Sequence, residues 1–198
     1  MRKEPTQARS RAKLETILNA ASRLITERGL PSLGVREIAR KADVNIATYY
    51  QFFPNKAALI RALLERHMQE VQTLLENTTE EMRDADPRAT VQEILDKSFQ
   101  YYRDNPDYTE LWYASQADPE LRALHLADSK ASAGAIEPLL SVWMPDQSPQ
   151  VIKPMSLHLV LTAGQVFRHA LIVSKDEADA LLTYNRMSIL RAIGLEDA

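Results

Sequence analysis

Apolar residues recur three and four positions apart along most of the chain, the spacing that gathers them on one face of an α-helix. Leu14, Ile17, Leu18, Ala21, Leu24 and Ile25 mark such a face, and Gly29 after Arg28 supplies its C-terminal stop. Between Val35 and Lys56 the pattern tightens into two short helices, about Val35 to Ala42 and Ile46 to Phe53. Ile38 and Ala39 face inward on the first of these, and small Ala39 lets the second approach closely. Asp43 falls where the turn needs a positive φ, which aspartate tolerates better than most residues. Val44 plugs the turn, and Asn45 is a strong N-cap for the helix that follows.

The rest of the chain repeats the helical period. From Lys56, the positions Leu59, Ile60, Leu63, Leu64, His67, Val71, Leu74 and Leu75 stay in phase. A rod of about 20 residues and about 30 Å results, and Asn77 to Asp86 breaks its pattern with acids and threonines. Five further helices each follow a start signal. Asp86-Pro87 opens one reaching Arg103, Asn105-Pro106 a short one through Trp112, and Asp118-Pro119 one to about Trp143. Ser148-Pro149 opens another through Val173, and Ser174 with Glu177 forms a capping box for the last, which ends at Gly194. Five glycines and ten prolines at apparent segment starts complete the picture of an all-α protein of about nine helices.

Charge divides the chain in two. Residues 1–56 hold eleven Lys/Arg against five Asp/Glu, a balance of +6, whereas residues 57–198 hold thirteen against twenty-two, a balance of −9. A basic head on an acidic body suits a head that meets a polyanion. The arm from Met1 to Lys13 carries Arg2, Lys3, Arg9, Arg11 and Lys13 with the single acid Glu4, and part of it is expected to order only on phosphates. Cysteine is absent, which excludes disulfides and cysteine-ligated metals and fits a cytoplasmic protein. No signal peptide precedes the first charged residues. The most apolar run, Pro154 to Phe167, is fourteen residues long, against the about 20 that a membrane span requires.

Two helices as short as those between Val35 and Phe53 need a reason to pack so closely. The best-known one is to set the angle at which the second enters the major groove of DNA. Tyr49 and Phe53, four apart, point inward, leaving Ile46, Ala47, Thr48, Tyr50, Gln51 and Phe52 outward. Such a face is wasteful in water and useful against thymine methyls, base edges and phosphates. The pattern of Gly29, Val35 to Ala39 (VREIA), Ala42, Val44, Thr48, Tyr50, Phe53, Lys56 and Leu59 resembles the N-terminal domain of the TetR (tetracycline-repressor) family. The resemblance covers about Leu14 to Leu64. It departs from the family at two places, where Asp43 and Ala47 stand for glycines.

That resemblance implies an N-terminal helix-turn-helix domain, placed here at 1–56, and a C-terminal ligand-binding and dimerisation domain at 57–198, coupled by the helix from Lys56. It implies that Arg36 reaches a base or phosphate, that Ile46, Ala47 and Thr48 touch base edges, and that Tyr50 and Lys56 bind phosphate. With Asn45 and Gln51 these residues make up the candidate DNA-binding set. It further implies a homodimer through the eighth and ninth helices, with small Ala163, Gly164 and Ala170 allowing close approach, on a palindromic operator. A small, largely apolar effector is expected among Tyr102, Trp112, Tyr113, Trp143 and Phe167 with His158. Aromatic residues at helical spacing are, however, more often plain core, and His158 and His169 serve a dimer face equally well. No nucleophile elbow, phosphate loop or zinc motif occurs, so neither catalysis, a cofactor nor a metal is expected. The rival reading is a helical small-molecule-binding or scaffold protein that no longer binds DNA, with Asp43 and Ala47 as its grounds.

Overall fold

The computed structural model describes residues 4–195, with side chains from Ala8 onward. Among the described residues the chain forms nine helices and no strand. They are α1 (Glu4–Arg28), α2 (Val35–Lys41), α3 (Ile46–Phe52), α4 (Lys56–Glu81), α5 (Pro87–Asp104), α6 (Pro106–Ser115), α7 (Pro119–Trp143), α8 (Pro149–Ala170) and α9 (Lys175–Ala192), with a 3-10 turn at Leu30–Ser32. The chain divides into two compact units. One joins the segment through His67 with Pro106–Leu121; the other joins Met68–Asn105 with the segment from Arg122.

In the first unit, Ile17, Ala21 and Ile25 of α1, Ile38 of α2, Tyr49 of α3 and Leu59, Leu63 and Leu64 of α4 are fully buried, and Leu111 of α6 joins them. Gly29, at φ 76°, ends α1. The turn after α2 is a Schellman motif: the Val44 N–H donates to Ala39 O at 3.0 Å and the Asp43 N–H to Arg40 O at 3.3 Å. Asp43 occupies the left-handed position at φ 52°, as the sequence led us to expect. The same motif closes α9, with Gly194 at φ 74° and the Leu195 N–H donating to Leu190 O. Only the first of the two turns lacks glycine. In the second unit Val91, Leu140, Ile152, Leu159, Ile189 and Ile193 form a core of α5, α7, α8 and α9, against which Trp143 and Met155 pack.

Several boundaries differ from expectation. The basic arm is helical from Glu4, because Pro5 lies in the first turn, where its missing N–H costs nothing. Arg9, Arg11 and Lys13 are exposed on α1, while Arg2 and Lys3 lie outside the described residues. The helix from Lys56 continues to Glu81, giving 26 residues and a length of about 39 Å. Its threonines do not break it: Thr78 is buried, and the Thr79 hydroxyl bonds back to Glu76 O at 2.9 Å. The short helix continues to Ser115, and the eighth stops at Ala170 rather than Val173. Pro138 and Pro154 lie within helices rather than at segment starts, both exposed to solvent.

Asp43 holds a conformation that glycine adopts without strain, at a helix end where a negative charge is unfavourable. Asp43→Gly should therefore stabilise the protein by about 0.5–1 kcal/mol and Asp43→Ala destabilise it. Urea denaturation at neutral pH checks both signs.

Candidate nucleic-acid interface

A seven-residue helix has no stability of its own, so α3 depends on its ends and its inner face. At its start the Asn45 Oδ1 accepts the Thr48 N–H at 2.7 Å. Inward, Tyr49 and Phe53 are buried with ring centroids 5.7 Å apart, and Tyr50 meets Tyr49 edge-on at 5.4 Å. Burial of Tyr49 pushes its phenol upward. With that face committed, Ile46 (43 % exposed), Ala47, Tyr50 (50 % exposed) and Gln51 face solvent, and Thr48 is half-buried beside them. Five of the expected residues, Ile46, Ala47, Thr48, Tyr50 and Gln51, thus share one helix with Asn45 as its cap, while Arg36 lies on α2 and Lys56 on α4.

Around it the basic groups differ in their availability. Arg28 pairs with Glu37 at 2.5 Å and Lys41 with Glu27 at 2.5 Å, and the Lys41 ammonium holds the Glu27 carboxyl below its ordinary value. Arg36 is exposed at the start of α2 and has no ion pair among the described residues. Lys56 opens α4, where the Asn55 Oδ1 accepts the Ala58 N–H at 2.8 Å. The Lys56 Nζ donates to Leu30 O at 2.8 Å, so this lysine ties α4 to the 3-10 turn as well as marking a helix N-terminus.

One feature of the first unit was missed in the sequence. His67, in phase with the apolar face of α4, is buried against a carboxylate: its Nε2 lies 3.0 Å from Asp107 Oδ2, both side chains 2 % exposed. Tyr108 stacks on the imidazole at 5.0 Å. Burial alone would raise the Asp107 carboxyl, but the His67 hydrogen bond and charge, the Ser22 hydroxyl and the Arg66 guanidinium outweigh it and hold it below its ordinary value. Arg66 in turn donates to Asn19 Oδ1 at 2.7 Å. Thus α6 is clamped to α1 and α4. The available signal was a histidine inside an apolar stripe, with an aspartate opening a later helix.

The expected effector residues do not form one group. Tyr102 and Phe167 do meet, at 5.6 Å, with Phe99 5.7 Å from Phe167. Trp143 packs on the dry core of the same unit. Trp112 and Tyr113 are edge-on neighbours of α6 in the other unit. His158 and His169 are exposed on α8. Arg168 and His125, absent from the expected set, are buried in the second unit. A shallow groove of about 490 Å³ along α5, reaching Leu74 and Tyr101, takes in none of the expected residues. Among the described residues no group of His, Cys, Asp or Glu is placed to hold a metal, and no helix is long and apolar enough to cross a membrane.

A short helix capped by asparagine, set by a Schellman turn against its predecessor and presenting an outward apolar and hydroxyl face, defines a helix-turn-helix protein. Residues 17–63 match the family model for bacterial regulatory proteins of the tetR family, and residues 85–192 match the tetracyclin repressor-like C-terminal domain. The chain belongs to the TetR family. Among curated relatives, it is 30 % identical over 110 residues to the uncharacterised HTH-type transcriptional regulator YvdT of Bacillus subtilis, covering 53 % of each chain. It is 31 % identical over 70 residues to the HTH-type transcriptional regulator EthR of Mycobacterium tuberculosis, covering 35 % of this chain and 32 % of EthR. The match thus spans about half or less of these relatives' length. The fold is shared with a TetR-family regulator from Mesorhizobium loti (TM-score 0.75, 17 % identity, 93 % and 98 % of the two chains) and with the multidrug binding protein EbrR solved with imidazole (TM-score 0.66, 18 % identity, 93 % and 89 %).

Removing the Asp107 carboxylate would deprive the buried His67 ring of this hydrogen-bond partner. Asp107→Leu should cost about 3–5 kcal/mol, and pairing it with His67→Leu should recover part of that loss. Because the folded carboxyl is depressed, its contribution is complete above its ordinary 3.8 and disappears as pH falls through the folded value. Urea titrations across acid pH should show wild-type stability falling below that point more steeply than in the double variant.

Proposed function

We propose that this protein is a ligand-responsive transcriptional repressor that binds a palindromic double-stranded DNA operator as a homodimer in the cytoplasm. The observation that carries the reading is the outer face of α3. Ile46, Ala47, Thr48, Tyr50 and Gln51 share it while Tyr49 and Phe53 anchor the helix from behind. In the major groove Ile46, Ala47 and Thr48 meet base edges, and Tyr50, Arg36 and Lys56 meet phosphates, Lys56 aided by the partial positive charge of the α4 N-terminus. Asp43 gives no ground for loss of binding, since the turn it occupies has the hydrogen bonds of a glycine-closed one.

Dimerisation through α8 and α9 is supported by their solvent-facing stripes, though not by the small residues first considered. Ala163 and Ala170 are buried inside the subunit, and Gly164 faces Arg168 and Tyr102. The exposed stripe of α8 instead carries Val151, Pro154, His158, Leu161, Gln165 and His169, and α9 exposes Tyr184 and Met187. A two-fold axis between such faces presents two α3 helices to successive major grooves, about 34 Å apart. Effector binding in the second unit, around Tyr102 and Phe167, favours a dimer with another spacing, which releases the operator.

Anisotropy titration on the DNA upstream of its own gene is the deciding experiment: salt-dependent, sequence-preferring binding is expected, and its absence defeats the reading. Thr48→Ala should change preference at one base position by about 1–3 kcal/mol. Tyr50→Phe should weaken all sequences alike by about 1 kcal/mol. Lys56→Ala should lower the slope of affinity against salt by about one. Leu161→Asp should halve the mass seen by light scattering, whereas Ala163→Asp should unfold the subunit instead of dividing the dimer.

A further inference from the structure

The outer face of α3 has a centre, set by the two residues that anchor the helix from behind. At 3.6 residues per turn, successive side chains lie about 100° apart around the axis. Tyr49 and Phe53 are buried, and the direction opposite to them falls on Ala47 and Gln51. These two are separated by four positions and so stand one above the other, with Thr48 on one flank and Tyr50 on the other. Ala47 and Gln51 are both exposed, whereas Thr48 is half-buried.

The chemistry of that centre is narrow. α3 reads IATYYQF and carries no charged side chain. It has neither the guanidinium nor the ammonium that takes guanine O6 and N7 together, nor a carboxylate to accept from cytosine N4. Two carboxamides belong to the helix and its cap. The Asn45 Oδ1 accepts the Thr48 N–H at 2.7 Å, which holds that amide against the first turn. Gln51 makes no hydrogen bond among the described residues, so its oxygen and nitrogen are both available outward. Ala47 presents a single methyl group. A carboxamide pairs in bidentate fashion with adenine N6 and N7, and a bare methyl packs on the thymine C5 methyl. Along the helix axis the two residues are about 6 Å apart, less than two base-pair steps of about 3.4 Å each.

We propose that Gln51 and Ala47 are a specificity-determining pair that reads A·T base pairs at the centre of each operator half-site, Gln51 taking the major-groove edge of an adenine and Ala47 the methyl of a thymine within three consecutive base pairs. This rests on the reading of α3 as the helix that enters the major groove. A guanine or cytosine at either place leaves the Gln51 amide mispaired or the Ala47 methyl without an apolar partner. The alanine that stands for the family's glycine thereby adds readout, since glycine offers no methyl.

The test is selection of bound sites by the full-length protein from a randomised duplex pool, followed by anisotropy titrations of the selected site with single altered bases. Each half-site should contain a short A·T segment. Within it, replacing one thymine by deoxyuridine, which removes only the C5 methyl, should weaken binding roughly four-fold. Replacing one adenine by 7-deazaadenine, which removes the N7 acceptor, should weaken it roughly five-fold. Ala47→Gly should abolish the deoxyuridine penalty and keep the 7-deazaadenine penalty, and Gln51→Ala should do the reverse. Each penalty is a ratio within one variant, so a general loss of affinity from a weakened α3 does not move it. The proposal is overturned if the selected half-sites have no A·T segment, if a scan of every thymine and adenine finds neither penalty, or if both penalties persist in both variants. Preferred sites of those kinds reject the base-reading pair alone. A pool that yields no preferred sequence defeats the operator-binding reading itself, and the pair with it.

Discussion

A helix of seven residues cannot persist in water unless something outside it holds it, and every functional expectation for this protein depends on how α3 is held. Tyr49 is buried to 0 % exposure and Phe53 to 3 %, while the Asn45 side chain satisfies the first turn. Burial of two aromatic rings contributes several kcal/mol at about 25 cal/mol per Å² of apolar surface. That fixes the rotation of α3 about its own axis. Once the rotation is set, the outward residues follow from the helical period: Ile46, Ala47, Tyr50 and Gln51 have no other direction in which to point. The Schellman turn at Asp43 fixes the remaining freedom, the angle between α2 and α3.

The same unit explains why a segment far along the chain matters to the head. Asp107 and Tyr108, at the start of α6, close over His67 of α4; Ser22 hydrogen-bonds the carboxylate and the charge of Arg66 favours its ionised form. A buried charge pair is weak as net stabilisation and severe when broken. It therefore specifies position: α6 has one site on the head where its aspartate is satisfied. Since α4 runs without interruption past His67 to Glu81, the helix that carries this clamp also continues into the second unit.

Much of this was legible in the residues themselves. Asp43 announced a left-handed turn, Asn45 a cap, and each proline-headed start signal a helix, because caps and turns are chemistry within four or five residues. The outward set on α3 followed from period alone. What escaped was non-local. Part of the basic arm was expected to order only on phosphates because of its charge density, whereas its described residues, from Glu4, are helical. α4 read as too short because its threonines form local bonds to the helix backbone rather than leaving it. Ala163 and Ala170 read as interface residues because smallness does not say which neighbour requires it; here the requirement comes from inside the subunit. The aromatic residues of the body read as one pocket, whereas Tyr102 and Phe167 meet, Trp143 serves the dry core, and Trp112 lies on the helix that joins the head.

The sequence by itself determined an all-helical chain, the order and capping of its helices, the helix-turn-helix and its outer face. Each of these rests on interactions spanning one or two turns, which periodicity and cap chemistry encode directly. Tertiary structure alone decided that His67 pairs with Asp107, forty residues away, that Arg168 enters the interior beside Tyr102, sixty-six residues away, and that His158 faces solvent. Such pairings depend on how helices rotate and approach one another to bury their apolar faces. A charged side chain reads the same in a sequence whether that rotation carries it into water or into the core.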